Sequence, residues 1–243
     1  MVRGYTGSMA AYVVGVDGCS EGWLAMRYCP AEGKLAPRVV ATFEAILARY
    51  PDARCVAIDI PIGLTEDCHP RICDGLARRY LGRRRNSVFP APDRRILTLR
   101  SYPEASATFR SLCGKGIPRQ AFALHSKIAE VDRLMSPQLQ AWVVEVHPEV
   151  CFWALAGGRP MDHYKKTPEG FQERRQLLTI GLEGVPIPDW TEASVLARPA
   201  EPDDVLDAVA AAWTAFRVAE GHAERLPANP PTDAKGLRME MVY

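Results

Sequence analysis

The chain has 243 residues, 47% hydrophobic and 24% charged, with 30 Lys and Arg against 29 Asp and Glu. That is a globular composition, and a net charge of +1 excludes a global field that would recruit nucleic acid or a membrane surface. No apolar run approaches the ~20 residues that span a bilayer, no charged leader precedes an apolar stretch, and the seven cysteines are an odd, scattered set. These features predict a cytoplasmic protein with free thiols and no membrane partner.

Residues 1–10 read as a non-native leader or a disordered segment, with a second start at Met9, which leaves one domain over 11–243. Tyr12 to Val16 and Trp23 to Tyr28 are apolar, β-branched runs joined by a Gly-containing link, which predicts a hairpin. Arg38 to Ala41 predicts a third strand, and Thr42 an N-cap for a helix to Arg49. Cys55 to Ile60 is apolar except for Asp59, as in a central parallel strand covered on both faces. The order strand, strand, strand, helix, strand gives an α/β protein with a mixed sheet flanked by helices. Residues 64–135 carry no strand pattern and are rich in Arg and Pro, and so read as a helical insertion after the fourth strand. Ala141 to His147 predicts another strand, Thr167 to Ile180 a capped helix, and Asp203 to Val218 the clearest helix of the chain. At the C-terminus, Leu237, Met239, Met241 and Tyr243 alternate on one face, the pattern of a docked tail or of an edge strand serving a homodimer.

Acids interrupt these elements where apolar residues belong. Asp17 ends Val13-Val14-Gly15-Val16, Asp59 breaks the fourth strand, and Glu145 breaks Val143-Val144 and Val146. A carboxylate buried on a strand is costly unless it is paired, hydrogen-bonded or bound to metal. Asp204 and Asp207 are three apart, so they share a helix face that continues as Ala208, Ala211 and Ala215. Such an alanine strip lets the helix lie close to a sheet and carries both acids to its edge. Crowded carboxylates raise one another's pKa, and Mg²⁺ or Mn²⁺ relieves the repulsion. Two such ions about 4 Å apart are the usual machinery of phosphodiester hydrolysis. Cys68, His69 and Cys73 suggest zinc, but no second ligand pair follows at a suitable spacing.

Five stretches carry a resemblance: Gly15-Val16-Asp17-Gly18-Cys19, Ile58-Asp59-Ile60-Pro61-Ile62-Gly63-Leu64, Asn86 to Pro92, Glu145-Val146-His147-Pro148-Glu149, and Asp203 to Ala208. In this order the chain resembles the DUF429 family, described as predicted RNase H-like nucleases. The resemblance implies a ribonuclease H-like fold in which Asp17 on the first strand, Asp59 on the fourth, and Asp204 and Asp207 on the late helix bind Mg²⁺ or Mn²⁺. Glu145, counted with these four among the catalytic candidates, and His147 belong to the family's own pattern.

Between Arg71 and Arg100 nine arginines face two acids, a local excess that suits DNA or RNA. Arg83, Arg84 and Arg85 precede Phe89, which places charge beside a ring that can stack a base. With His147, and with Lys166 of the Lys165-Lys166 pair that precedes the capped helix as a phosphate contact or a surface turn, they complete the candidate substrate contacts. The leading expectation is a metal-dependent nuclease or phosphodiester hydrolase. Its rivals are a phosphotransferase or nucleotide hydrolase on the same fold, and a non-catalytic nucleic-acid-binding module.

Overall fold

The computed structural model describes residues 11–196 and 198–243; the reading of residues 1–10 as a leader falls outside them. Strands β1 (Val13–Cys19), β2 (Gly22–Cys29), β3 (Lys34–Val40), β4 (Val56–Ile58) and β5 (Val143–Glu145) form a mixed sheet in the order β3-β2-β1-β4-β5. The first three pair antiparallel, whereas β4 joins β1, and β5 joins β4, in parallel. The hairpin turn closes through Gly22 at φ +131°, where a Cβ would meet the carbonyl oxygen of Val40 at 2.4 Å. Only glycine fits a left-handed backbone pressed on a neighbouring strand. Helix α1 (Phe43–Arg49) makes the crossover to β4, and the Thr42 hydroxyl caps it by accepting from the Ala45 N–H at 3.1 Å.

Residues 64–135 contain α2 (Ile72–Leu81), α3 (Tyr102–Cys113), α4 (Arg119–Ala123) and α5 (His125–Leu134), with no strand among them. Helices α6 (Pro148–Leu155), α7 (Pro168–Gly181), α8 (Trp190–Leu196) and α9 (Pro202–Ala219) follow β5. Apart from the edge strand β3, which is partly exposed along its length, the sheet is buried on both faces. Val13, Ala57 and Val144 pack with α6, α7 and α9, while Val14, Val16, Val56, Ile58 and Val143 pack with α1 and α5. Helix α9 lies directly on β1. A Cβ on Gly15 would come within 2.1 Å of the Ala208 carbonyl oxygen and of the Ala212 nitrogen. The alanine strip and Gly15 together set this close approach.

The strand expected over Ala141 to His147 is shorter, Val143–Glu145, and Pro148 opens α6 as its first residue, a favoured place because proline has no N–H to lose there. The tail does dock, yet on its own chain: β7 (Met241–Val242) pairs with β6 (Arg225–Leu226), and Leu237, Met239, Met241 and Tyr243 are all buried. Its alternating face is therefore not an open edge. Finally, Cys68 and Cys113 form a disulfide, while Cys19, Cys29, Cys55, Cys73 and Cys151 are free and buried. Cysteine spacing could not reveal that the end of α3 folds back onto the segment after β4, with the two Cα atoms 5.3 Å apart.

Candidate carboxylate site at the strand ends

Asp17, near the end of β1, shares the sheet face of Gly15 and therefore faces α9. Asp59 follows β4 directly, and its N–H donates to the Val16 carbonyl at 2.9 Å, which places it beside Asp17. The N-terminal turns of α9 bring Asp203, Asp204 and Asp207 to the same spot. This is the carboxyl end of the parallel strands, where sites in open α/β sheets collect. Asp17, Asp203 and Asp207 are buried, and Asp59 and Asp204 are half-buried.

Burial raises the pKa of Asp17 well above the usual carboxylate range, and Asp59, Asp207 and Asp204 add to the rise. Burial also raises Asp59; His147 opposes this rise and Asp207 adds to it. Asp204 is pushed up to about 6 by burial, against the Glu201 N–H that donates to its Oδ2 at 2.9 Å. That bond is half of a capping box, so Asp204 both caps α9 and borders the cluster.

Two further residues join the site: Lys165, read in the sequence with Lys166 as a phosphate contact, and Asp203, read as an acid of the first helical turn, neither of them as a partner of the other acids. Lys165, in the loop before α7, donates from Nζ to Asp207 Oδ2 at 2.6 Å and lies 3.0 Å from Asp203 Oδ2. Burial disfavours its charge, but Asp207, Asp17 and Asp203 outweigh burial and hold it protonated. Asp203 had a legible signal, since it and Asp207 are four apart on the same helix. Of the Lys165-Lys166 pair, Lys166 is exposed and Lys165 enters the site.

Glu145 is not in this cluster. Its register partner is Ile58, whose partner on β1 is Val16, so Glu145 faces the opposite side of the sheet from Asp17. There Arg71 grips it with two 2.7 Å bonds, and the Ile62 N–H donates to it at 2.6 Å. Arg71 also pairs with Asp74 at 2.6 Å, and the other Asp74 oxygen accepts from the Ala91 N–H at 3.0 Å. All three charged side chains are buried. Glu145, grouped in the sequence with the other catalytic candidates, is thus set apart from them, because alternation along β5 turns it to the opposite face of the sheet. His147, two residues on and past the strand end, lies close enough to Asp59 to act on its charge. Its Nε2 is 3.3 Å from the Ser87 carbonyl oxygen, and its Nδ1 is buried without a hydrogen-bond partner.

The basic stretch is largely spent within the protein. Arg83 pairs with Asp162, and Arg84 donates to the carbonyls of Met161 and Asp162. Arg78 donates to the carbonyls of Arg85 and Val88. Arg94 pairs with Glu66, Asp132 and Asp233, and Arg95 with Asp93. Arg85 and Phe89 are exposed. Proximity in sequence gathers positive charge, but folding spends it on carbonyls and on acids both near in sequence, as Asp93, and distant, as Asp162 and Asp233.

Among the described residues, the one trio of Cys, His, Asp or Glu whose ligand atoms all lie within 4.8 Å of one another is Cys68, Asp93 and Cys113. Its two sulfurs are bonded to each other and its carboxylate to Arg95, so it offers no open ligand set. His69 is exposed beside Asp67, and Cys73 is buried beside Asp74, so the zinc spacing does not assemble either. In the acid cluster five carboxylates face one ammonium, and Asp203 Oδ2 is buried without a hydrogen bond. An all-oxygen donor set with excess negative charge fits a hard divalent ion, and closing on one requires the side chains to turn inward.

The fold and this cluster define an α/β protein with a carboxylate-lined site at the strand ends of a mixed sheet. The chain belongs to the DUF429 family, a protein family of unknown function, whose model matches residues 15–232. No curated protein and no solved structure matches it.

Proposed function

We propose that this protein is a metal-dependent phosphodiester hydrolase of the RNase H-like kind, a nuclease, with Asp17, Asp59, Asp204 and Asp207 holding Mg²⁺ or Mn²⁺. One observation carries the reading. Carboxylates from β1, the end of β4 and the start of α9 converge on one sheet face, and their mutual repulsion is only partly offset by Lys165. Such repulsion is retained where a bound cation repays it in function. When bound, the ion supplies positive charge that activates a water and offsets charge building on phosphate oxygens.

The chain's own residues do the rest. Packing of α9 on Gly15 fixes Asp207 against Asp17, and the capping box fixes the first turn that carries Asp204. His147 adjoins Asp59 from the end of β5. Exposed Arg85, Phe89 and Lys166 are available to a nucleic-acid backbone and base.

The test is calorimetric titration with Mn²⁺ of the parent and of the Asp59→Asn and Asp204→Asn variants, with a screen of DNA, RNA and ATP as substrates. Binding in the parent that is lost in both variants supports the site. No binding at millimolar metal, or retention in both variants, rejects it. The Asp17→Asn variant should lose cleavage yet melt higher than the parent in EDTA, by about 0.5–2 kcal/mol, because a neutral amide relieves the charge crowding.

A further inference from the structure

Lys165 is held in the site by a built loop. Arg174 on α7 is buried and donates to the carbonyls of His163 at 3.2 Å and Gly170 at 2.9 Å. Its other nitrogen pairs with buried Glu149 on α6. Glu173 accepts from the Asp162 and His163 N–H groups at 2.7 and 2.9 Å, and the Thr167 hydroxyl donates to the Tyr164 carbonyl at 2.9 Å. Gly170 is tucked so close that a Cβ there would meet the Tyr164 oxygen at 1.9 Å. The residues on both sides of Lys165 are thus tied down. A free lysine side chain has many rotamers, and fixing its backbone lowers the entropic cost of aiming it.

Two details bear on what Lys165 does there. Its side chain remains 30% exposed, so it sits at the mouth of the cluster with a path to solvent. Asp203 Oδ2 is buried and takes no hydrogen bond from Nζ although it is 3.0 Å away, so the ammonium leaves ligand capacity unused. A single positive charge with three donors satisfies the cluster less completely than a divalent ion would.

We infer that Lys165 is a displaceable counterion: it holds Asp203 and Asp207 in place without metal, leaves them when a divalent ion binds, and then presents its ammonium to a substrate phosphate at the mouth of the site. The inference rests on the metal reading above and deepens it. Arg174 and Glu149 are positioning residues that act through Lys165.

Mn²⁺ alone is the first probe. The Lys165→Met variant, with no cation to expel, should bind Mn²⁺ about tenfold tighter or more than the parent. With Mn²⁺ saturating, inorganic phosphate should bind the parent and not the variant. A second measurement needs no variant: acetylation of Lys165 in the parent, followed by peptide mass spectrometry, should speed up several-fold when Mn²⁺ is added. Equal or weaker Mn²⁺ binding by a variant with the parent's circular dichroism spectrum, or acetylation that Mn²⁺ leaves unchanged or slows, overturns displacement while leaving the metal site standing. Equal phosphate binding by the two proteins overturns the phosphate role. If neither protein binds Mn²⁺, the metal reading itself fails and this inference with it.

Discussion

At Glu145 geometry offsets part of the cost of burying a carboxylate, and burial still raises its pKa to about 7. The Arg71 guanidinium fork matches its two oxygens, Ile62 supplies an N–H, and Asp74 with the Ile62 and Gly63 carbonyls takes the other donors of the same arginine. A buried pair of this kind adds little net stability over apolar packing, but removing one partner strands the other charge. Glu145→Gln should therefore destabilise the fold by about 3–5 kcal/mol in urea unfolding, the cost of breaking a buried pair. Mn²⁺ affinity should change by less than about threefold, since the carboxylate faces away from Asp17. A stable Glu145→Gln protein that has lost metal binding would return Glu145 to the site. The same network joins Ile62, Ala91 and Glu145, from three of the stretches that carry the family resemblance, through Arg71 and Asp74.

Among the elements, the contact of α9 with β1 positions the site. The pattern Ala208, Ala211 and Ala215 showed a small-residue face, and Gly15 supplied the matching gap on the strand. Both were visible as residue types. That they meet, and that the meeting brings Asp207 to Asp17, depends on the helix returning across the sheet after the roughly 180 residues between Cys19 and Pro202, which no local periodicity encodes. Gly15→Ala places a methyl group 2.1 Å from two backbone atoms that cannot yield without moving the helix. Overpacking commonly costs about 1–3 kcal/mol, and this substitution should lie at or above that range. A thermal melt and a Mn²⁺ titration of the variant should fall together. A Gly15→Ala protein with parent stability would show that α9 does not bear on β1 this closely.

For the molecule as a whole, stability against acid depends on groups buried neutral. His125, at the start of α5, stacks on Phe122 with ring centroids 5.0 Å apart, and both its ring nitrogens are buried without a hydrogen-bond partner. Burial lowers its pKa below the ordinary 6.5, against the pull of the nearby Ile96, Leu97 and Leu99 backbone. Above pH 6.5 the ring is neutral in both the folded and unfolded states and has no effect. As pH falls below 6.5 the unfolded chain takes up a proton that the folded chain does not, so stability declines until the folded pKa is passed. The raised carboxylates Asp17, Asp59, Glu145 and Asp204 act with the opposite sign over the same range, so the His125 part is read as a difference: between pH 7.5 and 5.5, urea unfolding of His125→Phe should shift toward greater stability relative to the parent. An unchanged slope in the variant would assign the acid sensitivity elsewhere.

The sequence by itself determined the mixed α/β class, the hairpin, the capped helices α1 and α7, and Asp17, Asp59, Asp204 and Asp207 as one acidic group. Each rested on a local signal: period, cap, turn residue, or an acid in an apolar run. The tertiary structure alone decided that Glu145 faces away, that Lys165 and not Lys166 enters the cluster, and that Arg83 and Arg84 are spent on the segment around Asp162. It also decided that Cys68 reaches Cys113. The reason is the same in each case. A side chain's partner is set by which strand face it occupies and by what the crossovers bring beside it, and both are properties of chain segments far apart in sequence.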